Sequence, residues 1–305
     1  MQDVKNSIVI ASFSSINHLN KCLSSLKKYI PDLDNKLKFE IIISSIFTES
    51  EVASLKKITD FQLISNSDER KASTIASRET RVFRLRTIGV KAAQGKRILL
   101  LEDHCEVTQN WFKSMQAMLD SGNCFAGGPV ANGSPNTLYQ WSLYWSEYAS
   151  IMPPLPSNEV SYVSAVNCGY HKESLEQCFK IWQHGFYDNE VHDALTAQGT
   201  KQSLASEAII NTSLPFAFKQ ALVHLFTGGK RYGGYRGGQC WNFQRIIRLF
   251  STLIVPAVLL LRVFNIVRNR QPRHLITFFL ASPILYTLLG AWGLGELFGT
   301  FVGKR

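Results

Sequence analysis

Short apolar runs and helix-like segments alternate over the first part of the chain. Residues 7–13, 39–43 and 61–64 are mostly apolar, and each run has the length of one strand. Between the first two runs, apolar residues recur at the spacing of one helical face: Leu19, Leu23, Leu26 and Ile30. Residues 49–58 form a shorter helical pattern. This order predicts strands joined by right-handed helical crossovers, and therefore a mostly parallel sheet.

The next strand of the pattern, residues 97–101, runs directly into charged side chains. Its continuous Ile and Leu residues are typical of a strand buried on both faces, and Glu102, Asp103 and His104 follow it. Ligands of open α/β sheets bind at the carboxyl ends of such strands. The triplet therefore predicts a site for a divalent cation or a polar substrate group. The alternative is that Asp103 and His104 only cap the helix that follows.

The pattern continues through residue 200 with further strands and helices. Residues 111–119 form a helical pattern, and residues 137–151 form another that is rich in Trp and Tyr. This aromatic helix either lines an acceptor groove, touches lipid headgroups or packs in the core. Residues 160–166 predict a strand that leads to Asn167, and an acidic segment at 188–190 precedes a late helix.

The composition and charge of the chain indicate contact with a membrane in addition to the α/β domain. Hydrophobic residues make up 45% of the chain and charged residues 18%, a low share for a soluble protein. The net charge is +10, and residues 216–274 hold ten Lys or Arg and no Asp or Glu. Such a segment beside apolar runs favours an anionic membrane surface or a phosphate-bearing ligand, and no nucleic-acid-binding signature accompanies it. The six cysteines include no CxxC pair and no leader precedes the first strand, which indicates a reducing compartment.

Two apolar segments near the end of the chain predict membrane helices. Residues 249–261 are uncharged but short, whereas residues 275–295 are uncharged over a length that can span a bilayer. The basic linker 262–274 lies between them, and the positive-inside tendency places it in the cytoplasm. We therefore expect the first segment to be interfacial or re-entrant and the second to span. The predicted domains are residues 1–240 and the membrane part 241–305.

The order and spacing of these motifs resemble the family 2 inverting glycosyltransferases, which have a GT-A fold. The similarity rests on the first strand 7–13 and on 85–101, which resembles the family run A-R-N-x-G-x-x-x-A-x-G before its acidic motif. Residues 102–104 fall at the family's DxD-type triplet, and Trp111 falls at its following Trp. Gly127–Gly128, Asn167 and the acids 188–190 continue the order, so that the similarity covers about residues 5–240.

The resemblance implies a hexosyl transfer from a nucleotide-diphosphate sugar to a hydroxyl acceptor. Together with the membrane segments, it implies a reaction at the cytoplasmic face of a membrane, on a lipid-linked or envelope glycan. Asp188 takes the position of the catalytic base, with Glu190 beside it, and Asp103 and His104 take the position of the ligands to Mn²⁺ or Mg²⁺. The residues implied in donor binding are Ala11, Ser12, Phe13, Ser44, Arg86, Glu102, Asp103, Gly128, Asn167 and Arg236. Arg236 lies in the Gly-rich stretch 228–238, which resembles the family's flexible loop over the diphosphate; the alternative is a solvated basic loop.

Departures from the family pattern leave two alternatives open. Ser44–Ser45 stand where the family has Asp-Asp, and Glu102 and His104 occupy the outer positions of the DxD-like triplet. Tyr187–Asp188 replaces the Glu-Asp pair near the base. These changes are compatible with an inactive relative that binds a nucleotide sugar or a glycan. A membrane scaffold that uses the basic segment and the aromatic helix is the second alternative.

Overall fold

A computed structural model describes residues 4–71, 80–155, 162–200, 202–237 and 254–302. The chain divides into two compact units. The first unit comprises Met1–Gly133 and Ile151–Ser213, and the second comprises Ser134–Ser150 and Leu214–Arg305. The predicted domain boundary at residue 240 lies outside the described residues.

The first unit is the mixed α/β body that the pattern predicts. Its elements in chain order are β1 (Asn6–Ser12), α1 (Ile16–Tyr29), β2 (Phe39–Ser45), α2 (Glu49–Val52), a 3-10 turn (Ala53–Lys57), β3 (Gln62–Ser65), α3 (Ser67–Arg70), α4 (Arg81–Ala92), β4 (Arg97–Glu102), β5 (Cys105–Val107), α5 (Trp111–Asp120), β6 (Phe125–Gly127), β7 (Val130–Asn132), β8 (Asn167–His171), α7 (Lys172–Gln177), α8 (Phe179–Trp182), α9 (Asp188–Ala197), β9 (Gln202–Leu204) and β10 (Ile210–Thr212). The second unit contributes α6 (Leu138–Tyr148), α10 (Phe218–Gly237), α11 (Val255–Arg270) and α12 (Leu275–Val302).

The described residues form a seven-stranded sheet in the order β3-β2-β1-β4-β8-β6-β9. The pairs of β1 with β2 and β4, and of β2 with β3, are parallel, whereas β8 runs antiparallel to both of its neighbours. β5, β10 and β7 form a small separate sheet. The parallel half brings the carboxyl ends of β1 and β4 together, since Ala11 pairs with Glu102.

The glycines of the 85–101 motif let α4 pack closely on this sheet. A Cβ atom at Gly89 would collide with the side chain of Val9 in β1, and one at Gly95 would lie 2.6 Å from the backbone nitrogen of Ser7. Val9 and Leu100 belong to the apolar core that these elements enclose. The spacing of the motif is therefore a packing requirement that holds β4, and with it residues 102–104, in place.

The predicted strand at 160–166 is not confirmed in its described part. Residues 160 and 161 lie outside the described residues, and residues 162–166 are not a strand; β8 begins only at Asn167. The physical reason is that polar groups of this segment, including the Ala165 amide, donate to a carboxylate described below instead of to a neighbouring strand.

The Gly-rich stretch at 228–238 is a helix through Gly237, and the predicted flexible loop is wrong for these residues. On α10, a Cβ at Gly229 or Gly233 would collide with backbone carbonyls of α12, at Trp292 and Glu296. On α12, Gly299 meets α10 in the same way at Lys230. The glycines therefore allow two helix backbones to touch, the role that small residues four apart have in close helix pairs.

The aromatic helix α6 packs inside the second unit. Trp141, Tyr144 and Trp145 are buried, and the ring of Trp145 contacts Phe278 of α12. Of the alternatives that the sequence left open, core packing is the one that the structure bears out for these three residues.

Among the residues that the structure describes, one helical segment, Pro272–Val302, is long and apolar enough to cross a membrane by length and composition.

Candidate active site

Asp103 is locked to the carboxyl end of β1. One carboxylate oxygen, Oδ2, accepts hydrogen bonds from the Ser12 hydroxyl (3.1 Å) and from the backbone amides of Phe13 (2.9 Å) and Ser14 (2.8 Å). The Asp103 amide in turn donates to the Ala11 carbonyl (3.1 Å). The predicted donor-site residues Ala11, Ser12 and Phe13 thus hold Asp103 at the strand end. The helix-cap alternative is not what the structure shows, because the side chain of Asp103 binds the loop before α1.

The second oxygen of Asp103 lies beside the imidazole of His104. Asp103 Oδ1 and both ring nitrogens of His104 are buried and have no hydrogen-bond partner among the described residues. His104 Nδ1 lies 3.7 Å from Asp103 Oδ1, and Nε2 lies 3.6 Å from Glu102 Oε2. An oxygen and a nitrogen with unused lone pairs are a donor set that suits a divalent cation with its remaining ligands supplied by phosphate. The part of the chain that the structure describes holds no group of three or more His, Cys, Asp or Glu side chains placed to bind a metal.

Arg86 connects this triplet to a second carboxylate. It lies on α4, is 5% exposed, and pairs with Glu102, which is 6% exposed. Burial by itself lowers the pKa of the Arg86 guanidinium, but the negative charges of Glu102 and Asp188 more than offset burial and hold that pKa above its usual value. Arg86 therefore remains a cation between two carboxylates, where a diphosphate would also be attracted.

Asp188 begins α9 and is held by the segment before β8. Its Oδ2 accepts hydrogen bonds from the Tyr162 hydroxyl (2.9 Å), the Ser164 hydroxyl (3.4 Å) and the Ala165 amide (3.3 Å). Burial raises the pKa of the Asp188 carboxyl, but Arg86 and the Tyr162 hydroxyl outweigh burial, so its pKa lies below the usual value. The carboxylate is thus fixed in its ionised form, the form that a general base needs.

Tyr162 is a functional candidate that the sequence did not reveal. It precedes Asp188 by 26 residues and lies in a segment whose pattern predicts a strand. In a single sequence, nothing distinguishes this tyrosine from the other aromatic residues of the chain.

A buried polar pair supports α9 one turn after Asp188. The Tyr170 hydroxyl of β8 lies 2.8 Å from His192 Nε2, and the His192 ring stacks on Phe125. Burial lowers the pKa of His192 to about 4, so the imidazole is neutral at physiological pH. This pair anchors the helix whose first residue is Asp188.

Two of the residues predicted to bind the donor, Asn167 and Gly128, have packing contacts in the structure. The side chain of Asn167 is buried and all of its hydrogen bonds are internal: it accepts from Trp111 Nε1 (2.8 Å) and donates to the carbonyls of Pro129 (3.0 Å) and Ala208 (2.7 Å). Gly128 lies so close that a Cβ would collide with the Ala208 carbonyl. Both residues thus help to join the two sheets, and their contact with the donor stays a prediction.

The remaining predicted residues lie in several different settings. Ser44 at the end of β2 is buried, and its hydroxyl has no partner among the described residues. Glu190 lies in the first turn of α9, two residues after Asp188. Arg236 lies in the last turn of α10, 3.9 Å from Glu296 of α12, and is not on a loop.

Three comparisons relate the chain to known proteins. The family model described as glycosyl transferase family 2 matches residues 7–179. Among solved structures, TarS of S. aureus (residues 1–349) is similar at 14% identity and a TM-score of 0.46, over 73% of this chain and 65% of that chain. The same protein in complex with UDP is similar at 11% identity and a TM-score of 0.48, over 96% of this chain and 90% of that chain. No curated protein matches the chain.

Proposed function

Since this chain belongs to glycosyl transferase family 2, we propose that it transfers a hexose from a nucleotide-diphosphate sugar to a hydroxyl acceptor with inversion at the anomeric carbon. The observation that carries the proposal is the convergence of Asp103, Arg86 and Asp188 in the first unit. Asp103 lies at the end of β4, the position that we propose for the diphosphate. Asp188 is kept ionised by Arg86, which also pairs with Glu102, the neighbour of Asp103.

Asp188 is the general base of the proposed reaction. Its carboxylate accepts the proton of the acceptor hydroxyl while the hydroxyl oxygen attacks the anomeric carbon and the nucleoside diphosphate leaves. Tyr162 and the Ala165 amide orient the carboxylate through Oδ2. Glu190, two residues along the same helix, is the second acidic candidate for contact with the acceptor.

Donor binding is assigned to the ends of β1, β2 and β4. The predicted contacts are the backbone at 11–13, Ser44 for the base, and Arg86 and Asp103 for the diphosphate, with Arg236 as a further predicted cation. Asp103 and His104 would hold Mn²⁺ or Mg²⁺. When bound, the ion would neutralise the charge of the leaving diphosphate.

We place the reaction at the cytoplasmic face of a membrane. The support is the uncharged segment 275–295 of α12, the basic residues of 216–274 and the cytoplasmic origin of nucleotide sugars as donors. A lipid-linked or envelope glycan acceptor follows from attachment of the enzyme to that surface.

The test combines a donor panel with acid-to-amide variants. Nucleoside diphosphate release from UDP-, GDP- and dTDP-sugars is measured with Mn²⁺ and a membrane lipid extract as acceptor source. Asp188→Asn should lower transfer by about 10²–10⁴-fold while donor binding persists, because a general base contributes that much. Asp193→Asn, one turn further along α9 at an exposed position, is the matched control and should retain activity. The configuration of the product at the anomeric carbon, read by NMR, decides inversion.

The same experiment separates the alternatives. Full activity in Asp188→Asn would refute the assignment of the base. Donor binding without transfer in the native chain would favour the inactive relative, for which the Glu102 and His104 replacements are the supporting observation. If the native chain binds none of the donors, the second alternative, a membrane scaffold protein, is favoured.

A further inference from the structure

We propose that α12 lies along one leaflet of an anionic membrane and does not cross it. The inference concerns the second unit alone and deepens the membrane attachment in the proposed function, on which it rests. It is carried by the exposed side chains of α12 and by the position of two cations on the helices packed against it.

One side of α12 is an uncharged stripe that runs its whole length. The residues that form it are Ile276, Phe279, Leu280, Tyr286, Leu294, Phe298, Phe301 and Val302, and Ile276 is 77% exposed. At 1.5 Å per residue the stripe is about 39 Å long. An apolar surface of this size that no other described residue covers marks an interaction site.

The contacts of α10 fix its position along α12. Gly229 lies against Trp292 and Gly233 lies against Glu296, four residues further along each helix, so both chains advance in the same direction. Gly295 lies against Phe226. Lys219, ten residues before Gly229, is therefore level with residues 282 to 288 of α12, close to its midpoint. Lys219 is exposed.

The contacts of α11 place a second cation at nearly the same level. Phe264 contacts Phe278 and Phe279 of α12, and Pro256 lies 3.5 Å from the position of a Cβ at Gly293, so α11 runs in the opposite direction. Arg262, two residues before Phe264, is thus level with about residue 281, and it is exposed.

These cations lie at the level of the middle of the apolar segment 275–295, whose centre is residue 285. At 1.5 Å per residue, the level of Arg262 is about 6 Å from that centre and the level of Lys219 is about 5 Å or less from it. If residues 275–295 crossed the bilayer, both charges would lie inside the hydrocarbon core, which is about 30 Å thick, and this costs several kcal/mol. If α12 lies in the surface, both cations are at headgroup depth and the stripe faces the acyl chains.

Charge complementarity selects an anionic lipid surface as the occupant of the stripe. Arg262, Arg268 and Arg273 are exposed on α11 and the turn after it, and residues 216–274 contain no acid to oppose them. Exposed apolar residues Ile254, Val258 and Leu261 of α11 add to the surface that would enter the lipid. Apolar area combined with cations is the signature of a helix that binds in the plane of a membrane.

Spin-label depth in vesicles tests the inference. Single cysteines replace Ile276, Tyr286, Phe301 and Lys219 in a full chain that carries Cys124→Ser and Cys240→Ser, and the labelled proteins are bound to vesicles of phosphatidylcholine and phosphatidylglycerol. We expect the three stripe labels at one common depth of about 5–10 Å below the headgroups, and the label at residue 219 in water or among headgroups. A label at Tyr286 about 15 Å deep, with shallow ends at 276 and 301, would show a spanning helix and overturn the proposal.

A binding measurement tests the choice of an anionic surface. Arg262→Gln with Arg268→Gln should weaken vesicle binding by about five-fold for each lost cation, whereas Lys28→Gln with Lys57→Gln, two exposed cations of the first unit, should not. Equal loss in both pairs, or spin–spin broadening of the stripe labels without vesicle binding, would overturn the proposal, the latter by indicating that a second copy covers the stripe. Glycosyl transfer is measured separately through Asp188→Asn, so either idea can fail without the other.

Discussion

The buried pair of Arg86 and Glu102 gives the most direct test of the site's electrostatics. The two side chains are 6% and 7% exposed, so neither charge has water to replace a lost partner. Removing one partner of such a pair costs about 3–5 kcal/mol, because it leaves the other charge buried and uncompensated. We therefore expect Arg86→Met to lower the free energy of unfolding of the first unit by that amount.

The same prediction includes the coupling energy between Arg86 and Glu102, which a double-mutant cycle measures. Glu102→Gln should cost less than Arg86→Met, because Arg86 retains the negative charge of Asp188 nearby. The double variant should be more stable than the sum of the single losses by about 2–3 kcal/mol, the upper range for residues in direct contact.

Urea denaturation of the full chain, followed by tryptophan fluorescence, measures the four free energies. Arg70→Met is the matched control, since Arg70 pairs with Glu51 at the surface with 50% and 33% exposure and should cost about 1 kcal/mol or less. A loss in Arg86→Met no larger than that of the control would refute the idea that this pair is isolated from solvent.

Three further substitutions test the neighbourhood of the base and the helix packing. Tyr162→Phe removes a hydrogen bond to the ionised Asp188, so the acid limb of the transfer rate should move up by about 1–2 pH units; an unmoved limb would exclude Asp188 as the titrating base. The pKa of His192 is lowered to about 4, below the unfolded value of about 6.5, so stability should fall as pH drops through this window by up to about 3 kcal/mol, and His192→Gln should lack that loss in urea titrations at several pH values. Gly299→Ala should destabilise the contact of α10 with α12 by about 1–3 kcal/mol in thermal melts, whereas Gly290→Ala, with open space at its Cβ, should not; equal effects would contradict the backbone contact.

The parallel half of the sheet could be predicted because each strand is a local signal. The runs at 7–13, 39–43 and 97–101 are apolar, short and separated by helical periodicity, and they match β1, β2 and β4 closely. Asp103 could be predicted for the same reason, since its position after a buried strand follows from the sequence alone. Only the structure shows how the two oxygens of Asp103 differ. Oδ2 accepts hydrogen bonds from the loop before α1, whereas Oδ1 has no hydrogen-bond partner among the described residues.

Other features could not be predicted, because glycine and asparagine have several structural roles that depend on distant residues. Asn167 stands in a family position, and its amide forms hydrogen bonds with Trp111, Pro129 and Ala208, which are 38 to 56 residues away in sequence. The Gly-rich stretch 228–238 suggests a loop because glycine disfavours helices, yet here each missing side chain admits another backbone. Such long-range contacts decide the role of a residue and leave no local trace in the sequence.

The contrast between local patterns and long-range contacts also applies to α12, because its orientation in a membrane depends on the helices packed against it. Taken alone, 275–295 has the length and composition of a span, and no feature within it contradicts that interpretation. Lys219 and Arg262 are 56 and 13 residues away from Leu275 in sequence, and only the contacts at Gly229 and Phe264 reveal that both lie beside the middle of α12. If residues 275–295 crossed the bilayer, both cations would lie inside its hydrocarbon core, whereas a helix parallel to the surface keeps both of them at headgroup depth.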